Sequence, residues 1–236
     1  MENVHGRRQG LHGTRTDRRP VVSCDPVTDR VSIVFTDVAK RYDERVIFRS
    51  VSGAAEPGEV LVISGPNGSG KSTLLAILCG LLRATRGTVE YRSSDQGPID
   101  REAWRFQLGV VAPSMAVYEE LDAMENLRFL ARVRGLEPEE APLRGHLETV
   151  GLDPDRRTTA RGFSTGMLQR LKIAQAMLHD PPVLVLDEPG SNLDPSGQDW
   201  LEGWVRGRAA SGCTVLLATN DRREMEWGTR HVALGA

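Results

Sequence analysis

A chain of 236 residues is long enough for one substantial domain with a smaller lobe folded into it. Its 39% hydrophobic and 26% charged residues are those of an ordinary soluble globular protein, and a formal net charge of −2 leaves nucleic acid no electrostatic claim as the main partner. No apolar run approaches the about 20 residues a membrane-spanning helix needs, and Cys24, Cys79 and Cys213 share no metal-ligand spacing, which suits reduced thiols in a cytosolic protein.

Residues 1–30 are arginine-rich and hold no apolar core. They are expected to be a disordered tail, or to follow a mis-assigned start codon, rather than a secretory signal. Ordered structure is expected from Val31, where VSIVF has strand character, with a second short strand around Val46 to Phe48. The run EVLVISG, residues 59–65, is an apolar stretch stopped by glycine, as a strand buried on both faces should be. Lys71 to Leu82 turn helical, and TVEY at 88–91 returns to strand.

Residues about 100–180 are expected to be mainly helical, forming an inserted lobe. Leu127, Leu130 and Ala131 share one helical face, as do Leu143, Leu147 and Val150. A helix after Ser164 is expected to turn Leu171, Ala174 and Leu178 inward. The last third alternates: strand 182–187, helix about 197–209, strand 214–219, a short helix, and a strand at HVAL. Strand–helix alternation implies an α/β fold with a mostly parallel sheet and helices on its faces.

Gly65-Pro66-Asn67-Gly68-Ser69-Gly70-Lys71-Ser72, followed by Thr73, fits G-x-x-x-x-G-K-[ST] in full and joins a buried strand to a helix, the context this phosphate-binding motif requires. The glycines let backbone N–H groups face one anion, and the helix N-terminus adds positive charge. Lys71 is then placed to reach the β- and γ-phosphates of a nucleoside triphosphate, and the Ser72 hydroxyl to ligate Mg²⁺. Asp187 and Glu188 follow the apolar run Val183 to Leu186, at the strand end where open α/β sheets hold ligands. Asp187 suits a second Mg²⁺ contact, and Glu188 suits a general base for the attacking water.

Together with what lies between them, these motifs resemble the ABC ATPase family from about Val31 to Leu234. Phe163-Ser164-Thr165-Gly166-Met167-Leu168-Gln169-Arg170 is similar to the family's LSGGQ signature: Ser164 and Gly166 match, whereas Phe163, Thr165 and Met167 depart from it. The resemblance implies a P-loop NTPase core in residues 31–236, an N-terminal antiparallel β lobe and the helical insertion. It also implies that Ser164, Thr165, Gly166 and Met167 of one subunit face ATP held by a second copy. Ser191-Asn192-Leu193-Asp194 is similar to the D-loop that crosses that interface, and Tyr42 to the aromatic that stacks on adenine.

Two positions depart from the family. Pro113, followed by Ser114, stands where the Q-loop glutamine is usual, and proline offers no side-chain donor or acceptor. Asn220 stands where a switch histidine is usual; it can donate to a γ-phosphate but carries no titrating proton. Slow rather than absent hydrolysis follows. The stretch Val117 to Leu121 and Glu125-Asn126-Leu127-Arg128-Phe129 resembles exporter ATPases, with the haem exporter subunit of cytochrome c maturation as the nearest group. The resemblance implies a peripheral ATPase on the cytoplasmic side of the plasma membrane, with separate membrane-spanning subunits and a homodimeric partner. A non-transport ABC ATPase and a nucleotide-gated regulatory subunit are the alternatives.

Overall fold

A computed structural model describes residues 30–137 and 139–235. The expected tail, Arg30 apart, and Cys24 lie outside them.

Two sheets organise the chain. Strands β1 (Val31–Tyr42) and β2 (Arg45–Ala55) form an antiparallel hairpin, and β4 (Arg86–Ser93) and β5 (Gly97–Ile99) extend it in the order β2-β1-β4-β5. In β1, Val31, Ile33 and Phe35 are buried while Val34 and Thr36 face out, the two-residue alternation of a strand with one covered face. Register shifts between Phe35 and Arg41 bend the hairpin and break this alternation. They explain why β1 and β2 run well beyond the short segments that the pattern alone marks.

The second sheet is parallel throughout. Strands β3 (Val60–Ser64), β6 (Leu108–Val111), β7 (Val183–Asp187), β8 (Thr214–Thr219) and β9 (Arg230–Ala233) lie in the order β6-β7-β8-β3-β9. β7 and β8 are buried at every position, as expected of central strands covered on both faces. Neighbouring residues face opposite sides. Leu61 and Ile63 pack with Leu74 and Leu78 of α1 (Lys71–Leu78) and with Ile33 and Phe35 of the antiparallel sheet. Val62, Leu184 and Leu186 pack instead towards Leu127, Leu147 and Leu171. Each fully buried leucine contributes roughly 2 kcal/mol of transfer free energy, so both faces of the sheet are anchored.

The span read as mainly helical holds α2 (Arg101–Phe106), α3 (Ala123–Val133), α4 (Glu140–Thr149) and α5 (Thr165–Ala176), but also β6. That reading needs correction: Leu108-Gly109-Val110-Val111 pairs with β7, so the sheet continues through it. Gly109 belongs there because a Cβ would meet the Ala176 carbonyl oxygen at 2.4 Å. Leu178 falls past the end of α5 and is only half-buried. α1 stops at Leu78, four residues earlier than the pattern suggests, because Gly80 turns the chain with φ +70°. α6 (Pro195–Ala210) and the short α7 (Arg222–Met225) complete the fold. Among the described residues no helix is long and apolar enough to cross a membrane.

Candidate nucleotide-binding site

Strand order builds the site. β8 lies between β7 and β3, with Asp187 beside Ala218 and Thr219 beside Ser64, so the segments beginning at Gly65, Glu188 and Asn220 leave the same sheet edge together.

Between Ser64 and Lys71 the chain makes a tight loop. Gly65 and Gly70 have φ of +150° and +100°, and a Cβ on either would meet Leu234 O at 2.5 Å or Ile47 Cγ2 at 2.6 Å. α1 opens without a side-chain cap and without an acidic residue in its first turn, so its free N–H groups remain available to an anion. Lys71 is buried and folds back over the loop. Its Nζ donates to Gly65 O at 3.0 Å and lies 3.3 Å from Glu188 Oε1. Ser72, Pro66, Asn67 and Gly68 are exposed, Thr73 is half-buried, and the Ser69 hydroxyl is buried without a partner.

Asp187 is 8% exposed, and its Oδ1 is buried with no hydrogen-bond partner. A carboxylate oxygen left unpaired in such a place is costly unless something positive meets it, so the donor set fits a hard cation bound through oxygen. Glu188 adopts a left-handed φ of +49°, and its N–H donates to Ala218 O at 2.9 Å. Asn220 Nδ2 donates to Asn67 Oδ1 at 2.8 Å, so the residue in the switch position touches the phosphate loop directly.

The remaining candidates form a second group. Ser164 caps α5, its Oγ accepting from Met167 N at 3.2 Å, while Thr165 is exposed and Gly166 packs near Asn192 O. Ser191 Oγ accepts from Asn192 Nδ2 at 3.2 Å. Asp194 caps α6, accepting from Gly197 N at 3.0 Å and from Ser196 Oγ at 2.8 Å, and the Ser196 hydroxyl and Gly197 amide hold its carboxyl below the usual range. The two groups are joined through Gln169, whose Nε2 donates to Pro189 O at 2.7 Å. Tyr42 is 47% exposed at the end of β1, with Lys40 Nζ 4.7 Å from its ring centroid.

Three residues in these surroundings carry contacts that sequence patterns did not single out. Lys172, on the signature helix, donates to Pro113 O at 3.0 Å, so the backbone of the departing residue is tethered although its side chain offers nothing. Its amine is held below the usual lysine range by burial. Glu224 is 4% exposed and accepts from Gly190 N at 2.9 Å. Asn126 is fully buried, donating to Tyr118 O, Leu121 O and Asp122 O and accepting from Tyr118 N. The Glu-Asn-Leu wording therefore includes a clamp on the loop before α3. Lys172 had one visible signal, being one of only three lysines in the chain.

The family model described as ABC transporter matches residues 48–191, more than half of the chain. The linearmycin resistance ATP-binding protein LnrL of Bacillus subtilis is 31% identical over 193 residues, 81% of this chain and 62% of that protein. The daunorubicin resistance ATP-binding protein DrrA3 of Streptomyces coeruleorubidus is 34% identical over 199 residues, 83% of this chain and 62% of that one. The chain thus spans about three fifths of the length of these two curated relatives. Among solved structures, the dimeric bacterial ABC transporter cassette MJ0796 superposes with a TM-score of 0.74 at 25% identity, covering 86% of this chain and 94% of that one. A family model matched over more than half of the chain, together with relatives at this identity, means that the chain belongs to the ABC transporter family and carries its ATP-binding domain.

Proposed function

We propose that the chain is the ATP-binding and ATP-hydrolysing subunit of an exporter, pairing with a second copy beneath separate membrane-spanning subunits. The observation that carries this reading is the convergence of Lys71, Asp187, Glu188 and Asn220 on one sheet edge, with an ion pair joining Lys71 to Glu188 and a hydrogen bond joining Asn220 to Asn67 of the glycine-rich loop.

In this reading the N–H groups of residues 65–73 and Lys71 hold the triphosphate, and Tyr42 stacks on the adenine. Ser72 and Asp187 would hold Mg²⁺, whose charge offsets that of the phosphates. Glu188 accepts a proton from water as the water oxygen bonds to the γ-phosphorus and the bond to the leaving ADP oxygen breaks. Asn220 donates to the γ-phosphoryl oxygens as charge develops on them. Its partner Asn67 fixes the amide's orientation without any titrating group, so the rate should show no histidine-like limb near neutral pH. Asn220→Ala is expected to lower single-turnover hydrolysis about tenfold, below the roughly 10²–10³ that a strong transition-state donor is worth, with ATP affinity nearly unchanged. Identical rates for native protein and Asn220→Ala would show that the position has decayed.

The MJ0796 cassette is described as a dimer, which supports placing Ser164 to Met167 against ATP held by the second copy. The ends of Ser191-Asn192-Leu193-Asp194 would then cross the interface, with Asp194 acting mainly through its capping of α6. The names of the relatives, resistance to linearmycin and to daunorubicin, favour a drug or antibiotic as the exported cargo. Haem, the cargo of the nearest group named from sequence, has no such support among them.

Tyr118 and Phe129, 43% and 41% exposed with rings packed edge to face at 4.6 Å, present an apolar patch on the helical lobe. We assign this patch to the membrane subunits and the chain to the cytoplasmic membrane face. Val117 packs against the core and is the poorer probe. Tyr118→Glu with Phe129→Glu is expected to abolish co-purification with the membrane subunits from solubilised membranes while basal ATP hydrolysis persists. Retained co-purification would place the membrane contact elsewhere on the chain, whereas native protein that brings down no membrane-spanning subunit would favour a non-transport ABC ATPase.

A further inference from the structure

We infer that Glu224 is a positioning residue for hydrolysis: its buried carboxylate clamps the turn that follows Glu188 and ties it to the segment carrying Asn220. The inference rests on the assignment of Glu188 as the base.

Glu188 must hold an uncommon backbone conformation, φ +49°, which for a residue other than glycine persists only when its surroundings enforce it. On its amino side the Glu188 N–H is fixed to Ala218 O. Beyond it the chain turns tightly, with Ser191 N donating to Glu188 O at 3.3 Å and Leu193 N to Gly190 O at 3.0 Å. The Gly190 N–H is taken up by Glu224 Oε1 at 2.9 Å, and the Pro189 carbonyl by Gln169. The approach is close: a Cβ on Gly190 would stand 2.3 Å from that oxygen. Glu224 lies on α7, which begins two residues after Asn220 and is capped by the Asp221 carboxylate through Arg223 N at 2.7 Å. The turn that follows the base and the helix that follows the switch position are therefore joined by one carboxylate.

Stability alone does not call for a carboxylate here. Glu224 is buried, its Oε2 has no hydrogen-bond partner of normal geometry, and the charged groups that bear on it are the carboxylates of Asp221 and Glu188. Burial pushes its carboxyl above the usual range, Asp221 and Glu188 add to the rise, and the Thr219 hydroxyl and Gly190 amide oppose it. A group that is costly to bury and stands beside the reacting residues is the pattern left when function overrides packing.

The test compares Glu224→Leu, Glu224→Gln and Glu188→Gln in the full chain, measuring ATP–Mg²⁺ affinity by calorimetry and hydrolysis in single turnover. Leucine fills the space without an acceptor, whereas the glutamine amide oxygen can still receive the Gly190 N–H. Glu224→Leu is expected to hydrolyse ATP about 10–100-fold more slowly, as small displacements of a reacting group do, with affinity within about twofold of native. Glu224→Gln is expected to recover most of the rate. A native rate in Glu224→Leu beside a silent Glu188→Gln overturns this inference alone. So does equal loss in Glu224→Leu and Glu224→Gln accompanied by lost ATP affinity, which is the mark of a purely structural role. Full hydrolysis by Glu188→Gln overturns the assignment of the base, and this inference with it.

Discussion

Replacing Lys71 with alanine is expected to weaken ATP–Mg²⁺ binding by about 3 kcal/mol, or about a hundredfold in Kd. Lys71 is 6% exposed, and its ammonium is held at 3.0 Å from Gly65 O and 3.3 Å from Glu188 Oε1. Its contacts to phosphate are charge-assisted hydrogen bonds, roughly twice as strong as neutral ones. Lys71→Arg is no conservative control, because a planar fork of larger size cannot occupy the same curl of the loop. Calorimetry with ATP and Mg²⁺ checks the prediction; unchanged affinity in Lys71→Ala would remove the site assignment.

Glu188→Gln is expected to lower hydrolysis by about 10³-fold, within the roughly 10²–10⁴ that general-base catalysis contributes. The amide keeps the size of the carboxylate but cannot accept the proton of the attacking water. ATP affinity is expected to hold or rise slightly, since Lys71 loses its competing anionic partner at 3.3 Å and is freed for phosphate. Phosphate release in single turnover, beside equilibrium binding, separates the two effects. Loss of binding together with rate would mean that Glu188 supports the loop rather than the chemistry.

What sequence made legible was local. Residues 65–73 are consecutive along the chain, as are Asp187 and Glu188, and the strand and helix flanks of each follow from periodicity. The apolar run of β3 announced a strand covered on both faces, the runs of β7 and β8 announced strands, and those three carry the site. β6 was hidden because four apolar residues between helices are consistent with either state, and only its pairing with β7 decides. The contacts that complete the site were out of reach for a different reason. Asn220 meets Asn67 across 153 residues, Lys172 meets Pro113 across 59, and Glu224 meets Gly190 across 34. None of these pairs follows a helical or strand period; each exists because the sheet and the helices packed on it bring distant segments together. Pro113 shows the consequence. Its side chain cannot do what a glutamine would, yet its carbonyl is held by a lysine that spacing alone gave no reason to place there.

The central claim is that this domain binds ATP and closes around it with a second copy of itself. Size-exclusion chromatography of Glu188→Gln, with and without ATP–Mg²⁺, tests it most directly, because slowed hydrolysis preserves whatever assembly ATP creates. The account predicts a monomer without nucleotide and a dimer with ATP that dissociates only slowly. A chain that binds ATP by calorimetry yet elutes as a monomer at every ATP concentration would contradict it.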